Sequence, residues 1–213
     1  MQAWAAHGRT KPLPVWNTET GPTSRTFYRH VPDKLADSYT NWLRPVPCDR
    51  AAEDALKLFV LALAGGAERY FQYWCVSEES LLPRLGAMTI FEYDAALRPM
   101  AVAYAVAGSL LDGMRGQGWL DLPGPARASL LKDDHRFVAV LWRTTGRRPC
   151  QLALPYRDAK LVARNLMGNP VELKPRDTGC ELPIGSEPLY LIVPGEQARS
   201  LLDALKNSTR IAQ

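Results

Sequence analysis

The punctuation of the chain changes near Gly113, and that change limits the fold more than any single motif does. Before it, strand-like and helix-like patterns alternate with long loops between them. After it, Gly116, Gly118, Pro123, Gly124 and Pro125 crowd together as a boundary or linker, and short strand-like runs follow at close spacing. Alternating strands and helices predict a parallel α/β layer, and frequent turns between short strands predict an antiparallel β-sandwich of about 70 residues.

The first half reads element by element. Residues 1–8 read as the tail of a helix ended by Gly8. The segment Pro12-Leu13-Pro14-Val15-Trp16-Asn17-Thr18-Glu19-Thr20-Gly21 reads as a short buried strand that carries a carboxylate to its C-terminal tip, with Trp16 packing beneath it. Residues 21–49 are polar, proline-bearing and aperiodic, a long loop that holds His30. Asp49 is placed to cap a helix reaching about Ala64, where Gly65-Gly66 stops it. Residues 68–76 form an aromatic-rich strand with Tyr70, Phe71, Tyr73 and Trp74. Pro99 suits the first turn of a helix that runs to Asp112, and its apolar residues nearly encircle it. Beyond the linker, strands are expected at 137–142, 150–154, 160–165, 171–173 and 189–193, with a terminal helix over 196–206.

Composition removes several function classes. A chain of 213 residues with 46% hydrophobic and 23% charged residues can bury a good core and is not disordered. The net charge of +4 comes from scattered basic residues rather than a block, which argues against a nucleic-acid partner. Cys48, Cys75, Cys150 and Cys180 lack metal-binding spacing, and nothing demands their pairing. Residues 58–64 form the longest apolar stretch, far too short to span a bilayer, so no membrane role is expected. The first residues lack a signal-peptide pattern, and localisation stays open. No phosphate-binding glycine loop or Ser-His-Asp set is present, and no cofactor is expected. Asp133-Asp134-His135 reads as hydrated surface, because adjacent residues in a turn seldom converge on one ion.

Three residues have chemistry to offer. Glu19 at a strand end fits a catalytic carboxylate, and equally a solvated glutamate in a turn. Trp74 at the tip of the second strand fits a platform for the apolar face of a sugar, or a core tryptophan. His30 fits a ligand for sugar hydroxyls, or a solvated loop histidine.

In order along the chain, several segments resemble the C-terminal end of the retaining (β/α)8-barrel glycoside hydrolases of clan A. Lys11-Pro12-Leu13-Pro14-Val15-Trp16-Asn17-Thr18-Glu19 is similar to the seventh barrel strand, which bears the nucleophile. Glu68-Arg69-Tyr70-Phe71-Gln72-Tyr73-Trp74 resembles the eighth strand, and Arg98-Pro99-Met100-Ala101-Val102-Ala103-Tyr104 the start of the last barrel helix. Val138-Ala139-Val140-Leu141-Trp142, Asn165-Leu166-Met167-Gly168-Asn169-Pro170 and Pro188-Leu189-Tyr190-Leu191 look like the β-sandwich tail of that clan.

The resemblance implies a fold class of α/β plus all-β: the last portion of a TIM barrel, about two strands and helices, then a small antiparallel β-sandwich. The implied domains are an incomplete barrel over 1–115, the sandwich over 125–194 and a terminal helix over 195–213. It implies Glu19 as nucleophile, Trp74 and His30 as substrate-binding residues, and a carbohydrate substrate. The clan's Asn-Glu acid/base pair occurs nowhere in the chain, so the general acid and the N-terminal barrel portion are expected upstream. The chain alone is then expected to be inactive. A different class of function, a carbohydrate- or protein-binding sandwich without catalysis, fits the second half. Assembly with a separately encoded barrel half is a third reading.

Overall fold

The computed structural model describes residues 14–20, 47–72, 90–91, 95–146 and 148–211. The expected helix over 1–8 lies outside them. Strand β1 spans Trp16–Thr20, helix α1 Cys48–Ala64, strand β2 Arg69–Gln72 and helix α2 Pro99–Leu111. Strands β1 and β2 pair in parallel, through Trp16 with Arg69 and Asn17 with Tyr70.

The helices form where their apolar spacing allows. In α1, Ala52, Ala55, Leu56, Val60 and Leu63 fall on one buried face. Asp49 is not its cap: Pro47 holds the N-cap position without a side-chain bond, and Asp49 lies in the first turn. There its carboxylate faces the positive end of the helix dipole, which is what draws an acidic residue to that turn. At the other end, the Gly65 and Gly66 amides donate to the carbonyls of Leu61 (2.9 Å) and Leu63 (3.0 Å). Gly66 takes φ 98°, which favours glycine there. In α2, Pro99 stands in the first turn, where its missing N–H costs nothing.

The rest of the described chain forms two antiparallel sheets. Strands β3 (Arg115–Leu122), β4 (Ala126–Lys132), β5 (Arg136–Arg143), β7 (Val162–Arg164) and β10 (Leu189–Pro194) make one, in the order β3-β4-β5-β10-β7. Strands β6 (Cys150–Leu154), β8 (Lys174–Arg176), β9 (Gly179–Ile184) and β11 (Thr209–Arg210) make the other, in the order β11-β6-β9-β8. Helix α3 covers Ala198–Lys206.

Strand β5 shows how the layers stack. Its residues alternate between two cores: Phe137, Ala139 and Leu141 pack with Leu152, Leu182 and Leu205 of the second sheet and α3. Val138, Val140 and Trp142 pack instead with Leu56, Val60, Met100 and Leu111 of α1 and α2. At β5 the five-stranded sheet is therefore a middle layer buried on both faces, which is why this strand reads as one unbroken apolar run. At the margin of the α1 contact, Ser186 Oγ donates to Glu53 Oε1 (3.2 Å), and Lys57 Nζ lies 3.2 Å from Glu53 Oε2.

The stretch expected to be a linker is strand β3. Gly116 pairs with Leu131 and Trp119 with Ser129, so three steps on β3 match two on β4. That extra residue is a β-bulge, and Gly118 within it takes φ 86°. Gly116 lies beneath the end of α1, where a Cβ would meet the Leu63 carbonyl oxygen at 2.0 Å. Both glycines thus serve strand geometry rather than chain flexibility. Nor is 171–173 a strand: the extended run begins at Lys174. In the terminal helix, Leu201, Ala204 and Leu205 enter the core between the sheets.

Candidate functional site

The candidate site lies at the C-terminal ends of β1 and β2. Parallel pairing sets both ends on the same side. Thr20 pairs with Gln72, while Asn17 pairs with Tyr70; three steps on β1 match two on β2. This second bulge spans Thr18 and Glu19, and bulges of this kind change which way a strand presents its residues.

Of the three site residues named from the sequence, Glu19 alone falls within the described structure, and only through its backbone in β1. His30 and Trp74 lie outside the described residues.

The two faces of the β1–β2 pair differ. On one, Tyr70 is buried beneath the helices, its ring edge-on to Phe59 of α1 at 5.2 Å. Tyr104 of α2 completes the cluster, 6.3 Å from Tyr70 and 5.8 Å from Phe59. Its hydroxyl also donates to the Tyr70 carbonyl at 3.4 Å. Burial, and then the neighbouring Tyr104, push the Tyr70 hydroxyl up to about 12. Tyr70 therefore holds the strand against the helices.

Among the described residues the other face is left uncovered. Trp16 was expected beneath the strand, yet it is 56% exposed and its ring lies 6.2 Å from that of Phe71, itself 46% exposed. The physical reason is strand alternation: Trp16 pairs with Arg69, two residues before Phe71, whereas the helices cover the Tyr70 side.

Concavities among the described residues include two beside the helices. One follows the outer side of α2, between Ile90, Leu97, Val102 and Ser109. The other lies between residues 15–18 and the end of α1 at Leu61, Ala62 and Gly65. Among the described residues no group of three histidine, cysteine or carboxylate side chains is placed to hold a metal ion. Asp133 is occupied in the β4–β5 turn, where its Oδ1 accepts from the amides of His135 (2.8 Å) and Arg136 (2.6 Å). Cys150 and Cys180 are free thiols, and burial pushes that of Cys180 up. No helix among the described residues is long and apolar enough to cross a membrane.

No protein-family model matches the chain, and no curated protein matches it. Solved structures do. A family 39 glycoside hydrolase from the gut symbiont Bacteroides cellulosilyticus matches with a TM-score of 0.62 and 20% identity, over 87% of this chain and 35% of that one. A family 30 endoxylanase from Clostridium papyrosolvens matches with a TM-score of 0.53 and 10% identity, over 90% of this chain and 44% of that one. The catalytic domain of a family 30 xylanase from Talaromyces cellulolyticus matches with a TM-score of 0.51 and 11% identity, over 87% and 41%. The chain thus spans less than half the length of each of these three structures. At these identities the likeness is one of fold, and these three proteins that share it are glycoside hydrolases, in line with the sequence resemblance.

Proposed function

We propose that this chain is the C-terminal part of a retaining glycoside hydrolase that cleaves O-glycosidic bonds in carbohydrate, with Glu19 as its nucleophile. The observation that carries the reading is the parallel β1–β2 pair, which sets Glu19 in a bulge at the C-terminal end of its strand. In (β/α)8 barrels, catalytic residues stand at the C-terminal ends of strands, among the loops that follow them. Residues 1–115 are read as the last two strand–helix units of such a barrel. The two facing sheets are read as its trailing β-sandwich, 125–194 with β3 added, and 195–213 as its terminal helix.

The chemistry needs two carboxyl groups about 5.5 Å apart. Glu19 attacks the anomeric carbon and forms a glycosyl ester while the aglycone oxygen leaves with a proton from the second carboxyl. Water then cleaves the ester, the second carboxyl now acting as base. That second group belongs to the barrel portion proposed to precede this chain. The exposure of Trp16 and Phe71 supports such a portion, since an apolar strand face left uncovered by the other described residues is a liability in water. Two of the similar structures are xylanases, which makes xylan the first substrate to try.

The test uses the longer protein and an aryl β-xyloside. Glu19→Ala should lower hydrolysis by about a thousandfold or more. Added azide should restore turnover and give the α-configured glycosyl azide, because it enters the face the carboxylate has vacated. A β-configured azide would assign Glu19 the acid/base role instead, and undiminished hydrolysis would remove it from the site.

A further inference from the structure

The bulge in β3 has an effect on the protein surface. Leu120 and Leu122 face the core between the two sheets, so Trp119 and Asp121 fall on the opposite face. Without the extra residue at the bulge, Trp119 would turn inward and the leucines outward. Helix α1 covers that face at Gly116 but not at Trp119, which is 52% exposed. Strand β3 is also outermost in its sheet, so nothing among the described residues pairs along its far side.

Arg127 of β4 lies directly across from Asp121. Its Nε is 2.9 Å from Asp121 Oδ1, and its guanidinium carbon is 5.7 Å from the centre of the Trp119 ring. The ring, the carboxylate and the guanidinium form one cluster. Among the described residues, Asp121 Oδ2 and the two terminal nitrogens of Arg127 have no partner.

We propose that Trp119, Asp121 and Arg127 form a carbohydrate-binding shelf at this sheet edge, taking a neutral β-linked glycan with equatorial hydroxyls. A half-exposed indole accepts the C–H face of a pyranose. A carboxylate beside a guanidinium offers acceptors and donors side by side, and vicinal hydroxyls, each able to donate and to accept, match both. Other ligand classes fit less well. An anion would meet the Asp121 carboxylate, whose side chain is 73% exposed, and an apolar peptide would cover an ion pair without satisfying it. The shelf involves no bond breaking and does not depend on the role of Glu19.

The test is affinity electrophoresis of the 213-residue chain in gels containing soluble xylan, hydroxyethyl cellulose or polygalacturonate. The chain should be retarded in the neutral gels. Trp119→Ala should weaken that retention by about tenfold, and Trp119→Tyr should keep most of it. Equal melting temperatures for the three proteins make the comparison one of binding alone. No retardation of the unmodified chain would overturn the shelf, as would retention undiminished by Trp119→Ala. Retention confined to polygalacturonate, and lost in Arg127→Gln, would overturn it in favour of a simple anion site.

Discussion

The carbonyl oxygen of Leu63 sits directly above Gly116, at 2.0 Å from where a Cβ on that residue would stand. This contact fastens the end of α1 to the edge of the five-stranded sheet and joins the strand–helix part of the chain to its antiparallel part. The atoms involved are backbone, with the Ala64 Cα next at 2.8 Å, so no side-chain rotation relieves the crowding. Gly116→Ala should therefore destabilise the protein by about 1–3 kcal/mol. Gly108 in α2 is the opposite case, with nothing within 4 Å of its added Cβ. Gly108→Ala should stabilise by about 0.5–1 kcal/mol. Urea unfolding of the two variants checks both signs, and equal effects would contradict the contact.

Tyr70 predicts an alkaline limit to stability. Its hydroxyl is raised from 10.0 to about 12 by burial and then by Tyr104, so the folded state favours the protonated form. That contribution is complete below pH 10 and is lost as pH rises from there through about 12. Tyr70→Phe should flatten the loss. Unfolding measured from pH 8 upward checks it, and an unchanged alkaline slope in the variant would argue against the burial.

Asp133 predicts an acid limit. Burial alone would raise its pKa, but hydrogen bonds from the His135 and Arg136 amides and from the Arg136 guanidinium outweigh it and hold the carboxyl below 3.8. The stability this gives is complete above the ordinary carboxylate value and lost as pH falls through the depressed one. Asp133→Asn should lose that acid dependence while keeping the turn. Melting temperatures between neutral pH and pH 2 would report the difference.

The two longer helices were legible in the sequence because apolar spacing, Pro99 and Gly65-Gly66 all agree, and both lie within two residues of where the pattern puts them. Strand β5 was legible as a continuous apolar run. Strands β3, β4 and β9 were not. Gly116 and Gly118 read as chain breakers until the bulge and the helix above give them a place, and β4 carries Ala126, Ala128 and Ser129, poor strand formers held by their neighbours. Pro183 hid β9 in the same way.

The candidate site divides along a similar line. The strand that bears Glu19 was legible from its composition. The bulge beside Glu19 was not, because register is set by the partner strand rather than by local sequence. Trp16 was misplaced for the same reason: which face of β1 the helices cover depends on Tyr70, fifty-four residues away in the chain. Trp119 went unnoticed among the glycines before it, and an aromatic two residues from a carboxylate was the signal that marked it.

The central claim is that Glu19 is the nucleophile, and a covalent trap tests it most directly. The longer protein is incubated with 2,4-dinitrophenyl 2-deoxy-2-fluoro-β-xyloside, whose fluorine slows breakdown of the glycosyl ester, and is then digested and mapped by mass spectrometry. The account predicts a single fluoroxylosyl group, carried by the peptide that contains Glu19 and absent from Glu19→Gln. Attachment to any other carboxylate would contradict it.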